Sequence, residues 1–138
     1  MKFHPRIATA ALLCALWLVP SAGSAQETQK PTQAQALARQ FMRCSFVTVR
    51  LAELEPDKAK ADRATSASMV FLMIGAPNAA GQDFVKAELG KVVDSFGTEL
   101  NNLRKRDPSP KALDAFLREQ NTRCVKLYNQ HRARYFAR

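Results

Sequence analysis

The chain has 138 residues, 21 of them Lys or Arg against 12 Asp or Glu, and a formal net charge of +9 at neutral pH. It has 3 cysteines and 2 histidines, too few once paired for a usual zinc ligand set. No G-x-x-x-x-G-K-[ST] phosphate loop, G-x-S-x-G elbow or G-x-G-x-x-G fingerprint is present.

The amino terminus reads MKFHPRIATAALLCALWLVPSAGSA, with Lys2 and Arg6 ahead of an apolar run from Ile7 to Val19 and small residues ending at Ala25. That order predicts a secretory signal peptide over residues 1–25, cleaved after Ala25, and a single helical domain over 26–138. The apolar run is shorter than the roughly 20 residues a membrane span needs. The expected location is therefore periplasmic or secreted. Removing the signal leaves 19 basic residues against 12 acidic ones, a net charge of +7. The segment from Arg104 onward carries ten basic and three acidic residues, so it holds the whole excess. Such a segment suits an acidic protein or an anionic membrane surface, whereas export excludes nucleic acid as a natural partner.

Two cysteines remain after the signal, Cys44 and Cys124. In an oxidising compartment they are expected to form one disulfide. The rest of the chain shows apolar spacing of three and four residues and no sustained alternation, which predicts an all-α fold.

The first helix is expected from Thr32, where Gln35 completes a capping box, to a stop before Pro56. Leu37, Phe41, Val47, Thr48 and Leu51 fall within about 60° of Cys44 and form its core stripe. Ala38, Met42, Phe46 and Val49 lie about 120° to 200° away and form a second apolar row. A solvated bundle helix is polar there, so these four residues are expected to be a dimer interface or partner surface, unless the chain itself, around Gln26 to Pro31 or Pro77, covers them.

The second helix is expected to open with Pro56 in its first turn and end at Gly75. Its run from Met69 to Ile74 is apolar on every side and predicts deep burial. A third helix should follow APNAAGQ and reach Arg106, with Val85, Leu89, Val92, Phe96, Leu100 and Leu103 as its stripe. Ser109 and Pro110 then start a fourth, in which Leu113, Leu117, Gln120, Leu127, Tyr128, His131 and Tyr135 share the face of Cys124.

Four such helices with short links predict a small up-and-down four-helix bundle stapled by an inter-helix disulfide. In the antiparallel register that the cysteines set, His131 lies level with Leu37, and Met42 faces about 160° away from Cys44. His131 and Met42 cannot then sandwich one haem iron, and no C-x-x-C-H haem attachment motif is present. A half-buried His131 bonded to Gln40 or to a backbone carbonyl is the expected state.

No catalytic constellation, metal site or cofactor is expected. The first functional expectation is a non-catalytic exported binding protein, such as a chaperone, inhibitor or adaptor, acting by self-association or on a protein partner. The second is a bundle holding haem or another apolar ligand against His131. Arg123, Lys126 and Arg134 are the expected contacts for an anionic partner.

Overall fold

The computed structural model describes residues 31–137. The expected signal peptide, residues 26–30 and Arg138 lie outside them. Helix α1 spans Gln33–Leu54, with Thr32 as its cap and the reciprocal Gln35 bond in place. Helix α2 spans Lys58–Val70 and runs without a break through a π turn, Phe71–Gly75, into α3, Ala76–Ala80. Helix α4 spans Gln82–Arg106, α5 spans Pro110–His131, and a second π turn, Arg132–Phe136, ends the described chain. An all-α, up-and-down bundle with a Cys44–Cys124 disulfide is the observed architecture.

Two boundaries differ from the sequence-based expectation. Asp57, whose side chain accepts from the Lys60 amide, caps α2, so Pro56 precedes the helix instead of opening it. Gly75 does not stop the rod: it is helical, and the turn comes at Gly81, whose φ of 87° favours glycine. The wide π turn makes the continuation feasible. The Ala76 amide bonds back to the Phe71 carbonyl, and Pro77, which has no N–H, follows this widened turn directly.

Register follows from named pairs. Cys44 meets Cys124 with 5.5 Å between Cα atoms, Phe41 packs on His131 toward the start of α1, and Leu54 shares a depression with Leu113 and Leu117 toward its end, so α1 and α5 are antiparallel. Arg39 pairs with Glu88 and Arg43 with Glu99, so α1 and α4 run the same way. Ser45 and Ser68 share a buried hydrogen bond of 2.9 Å that joins α1 to α2. Helix α1 thus packs against every other helix and forms the axis of the molecule.

That placement corrects the second apolar row. Ala38 and Met42 are fully buried, and Phe46 and Val49 are half-buried, because α2 and α3 lie along that side of α1 and α4 flanks it. Small residues make the close approach feasible: Ser45 and Ser68 touch, Ala76 is fully buried, and a side chain on Gly75 would press on Phe41. Ala38 and Met42 are core and Phe46 packs against it, whereas Val49 is half-buried at its margin.

The Met69 to Ile74 run is also less buried than its composition predicts. Only Phe71 is buried, whereas Met69 and Met73 are 51% and 58% exposed. A helix on the rim of a bundle has one inward face, and here the run supplies more apolar residues than that face accepts.

Candidate binding surfaces flanking the last helix

Helix α5 carries the chemistry-bearing residues, and it borders three depressions. Its inward face is fixed by Leu117, Gln120 and Cys124, all buried, and Ser109 caps its start through the Ala112 amide. Looking along α5, one flank faces α2, the other faces the side where α4 diverges, and the end packs against the start of α1.

The flank toward α2 holds an apolar groove of about 240 Å³, lined by Thr48, Ala67, Val70, Phe71, Asn121, Val125 and Tyr128. Thr48 turns its hydroxyl to the Cys44 and Ser45 carbonyls, which removes its polarity from the groove floor. Val125 on the α5 rim is 51% exposed, and Met69 and Met73 stand exposed beside Val70. Apolar side chains from α2, the π turn after it and α5 thus line one open surface.

The opposite flank holds a polar cleft of about 460 Å³. Helices α4 and α5 meet near their link, where Leu100 and Arg104 face Leu113 and Leu117, and draw apart beyond it. Arg43 and Gln40 of α1 are left open between them. The Arg43 guanidinium stacks 5.1 Å over Phe96, forms an ion pair with Glu99 at 2.6 Å and donates to the Gln120 amide oxygen at 3.2 Å. Arg123 and Lys126 line the same cleft. A parallel arrangement sits next door, where Arg39 packs over Phe84 and shares Glu88 with Lys91. The bonds from Lys91 first, then from Arg39, hold the Glu88 carboxyl below its ordinary value despite its burial.

His131 lies at the third depression, a shallow space with Leu37, Thr32, Arg134 and Tyr135 at the start of α1. It is level with Leu37, as the register requires. It is half-buried, but its ring packs edge-on against Phe41 at 6.1 Å and makes no hydrogen bond to Gln40, whose side chain is exposed at the polar cleft. Phe41 in turn touches Phe71, Tyr135 and Phe136, so His131 belongs to an aromatic cluster that closes this end of the bundle. Met42 lies in the core and does not line the His131 space.

The three expected anionic contacts are divided by this geometry. Arg123 and Lys126 share the polar cleft, whereas Arg134 stacks 5.2 Å over Tyr135 beside His131. Sequence reasoning missed Arg43, Glu88 and Phe136. Arg43 and Glu88 are single charges that gain meaning only from partners 77 and 49 residues away. Phe136 docks on Gly75 after a π turn that shifts the helical periodicity. The one signal available was Gly75 itself, a residue without a side chain inside an apolar run.

Among the described residues no group of three or more His, Cys, Asp or Glu is placed to hold a metal ion, and no helix is long and apolar enough to cross a membrane. No family model matches the chain, and no curated protein or solved structure matches it.

Proposed function

We propose that the protein is a small exported, non-catalytic helical binding protein, of the inhibitor, chaperone or adaptor kind, that receives apolar side chains of a protein partner in the groove between α2 and α5. The observation that carries this reading is an apolar groove whose lining includes exposed Val125, with exposed Met69 and Met73 one and three residues from its lining residue Val70. Its volume of about 240 Å³ lies below the roughly 300–1,000 Å³ of sites that enclose a whole small molecule, and suits one or two protruding side chains. Exposed methionines close to Val70 along the same helix are flexible apolar side chains that adapt to a partner's surface. Export rests on the amino-terminal segment 1–25, and the disulfide is the chemistry such a compartment favours.

Val125→Asp and Met73→Asp test this directly, because both positions are exposed and tolerate charge without loss of fold. The expected outcome is loss of partner association with helicity and disulfide intact. Association unchanged in both variants contradicts the reading. Self-association that the same substitutions abolish shows that the groove serves a second copy instead.

A ligand held at His131 is the second reading, supported by the open space that His131 shares with Tyr135 and Arg134. A spectral shift on adding haem, lost in His131→Ala, would establish it. An unchanged spectrum rejects its haem form.

A further inference from the structure

We infer that the cleft over α1, between α5 and the diverging α4, is a carboxylate-binding site that takes an acidic segment of a polypeptide. It lies on the opposite flank of α5 from the apolar groove and stands independently of it.

The cleft is built from donors. Gln120 is 9% exposed, and its amide oxygen is committed to Arg43. Its amide N–H groups donate to no other group among the described residues, although the side chain lines the cleft. No buried side-chain nitrogen or oxygen among the described residues lacks a partner, so these N–H groups open into the cleft, where they can donate to an acceptor that enters it. Arg43 supplies more. One terminal nitrogen makes both of its bonds, and Phe96 supports one face of the guanidinium, so the remaining N–H groups are held in place without partners among the described residues. Lys126 makes no ion pair there, and Arg123 is tied only to exposed Glu119.

The polar lining of this cleft is Gln40, Arg43, Gln120, Arg123, Lys126 and Gln130; Glu99 and Glu119, the ion-pair partners of Arg43 and Arg123, stand outside that lining. Cations and amides with unused N–H groups favour acceptor-only oxygen, and a carboxylate accepts from an Arg fork and an amide together. The shape favours a chain over a compact ion. From Gln120 to Gln130 the α5 wall runs about 15 Å, enough for several residues of a peptide, and the cleft is open along its length. Arg43, Arg123 and Lys126 make the lining of this cleft basic, which favours an acidic partner here.

The probe is a fluorescein-labelled hexaglutamate peptide titrated with the disulfide-bonded protein at low salt and read by anisotropy. Saturable binding that weakens steeply with salt is expected. Gln120→Glu keeps an acceptor for Arg43 but replaces the donor with a negative charge. It should weaken binding by roughly tenfold or more, as should Lys126→Glu, by the worth of one charge-assisted hydrogen bond. Lys105→Glu makes the same charge change outside the cleft and should alter binding less than about twofold. Should Gln120→Glu misfold, the contrast between Lys126→Glu and Lys105→Glu decides alone. No saturable binding, equal losses in those two lysine variants, or a response of the cleft variants only to inorganic phosphate or to anionic phosphatidylglycerol vesicles would overturn the assignment.

Discussion

Gly75 and Phe136 show how one absent side chain organises an end of the molecule. A Cβ on Gly75 would overlap the Phe136 ring, which packs on Phe41 and Tyr128. The Asn78 amide secures the same turn by donating to the Tyr135 carbonyl at 2.7 Å. Gly75→Ala is therefore expected to destabilise the fold by about 1–3 kcal/mol through overpacking, although alanine is the better helix former; urea unfolding measures it, and a stabilised variant contradicts the placement of Phe136. Glu88 makes a pH-dependent contribution. Its lowered folded-state pKa means that it stabilises the protein above its unperturbed value of 4.5, and that this is lost as pH falls through the lower folded value. Glu88→Gln should cost stability at pH 7 and much less at pH 3, so the gap between variant and parent in urea should shrink on acidification. A gap that stays constant shows that the charge is not the stabilising element.

Among the elements, α1 is decisive because it has no free side beyond Gln40, Arg43 and its carboxyl end. Its two apolar stripes were legible in the sequence, and so were its capping box and its disulfide partner. The identity of what covers the second stripe was not. Angles around a helix count apolar faces, but they do not say whether a neighbour or solvent lies against them. The answer depended on α2 continuing past Gly75 into α3, which a π turn permits and a simple helix-stop reading denies. The consequence for mutation is opposite to what a partner surface at Met42 would allow. Met42→Asp places a charge where exposure is zero and should cost on the order of 4 kcal/mol, a large share of the roughly 5–15 kcal/mol that holds a domain together. Circular dichroism and urea titration read that loss. Reducing the Cys44–Cys124 bond releases a separation of 80 residues and should cost about 4.5 kcal/mol by chain entropy. The reduced protein should unfold at lower urea, and an unchanged midpoint would mean that α1 and α5 hold each other without the staple.

At the scale of the molecule, α5 divides two unlike surfaces: an apolar groove toward α2, and a donor-lined cleft toward the open side of α1. The fold class and pairing of helices followed from periodicity and two cysteines, since both are recorded locally. The surfaces did not, because each is made by residues from two or three helices whose juxtaposition is a tertiary fact. Val125 read as one more apolar residue, and Lys126 as one more solvated charge, until Val70 and Arg43 stood opposite them. The proposed role in partner binding is tested most directly by placing a photo-crosslinking residue at Val125, at Met73 and, as a control, at exposed Thr98 of α4, in the protein made by its own cells. The account predicts one common partner crosslinked from Val125 and Met73 and absent from Thr98, with yield lost on Met69→Asp. Equal crosslinking from all three positions, none from any, or a product made only of this chain would contradict it.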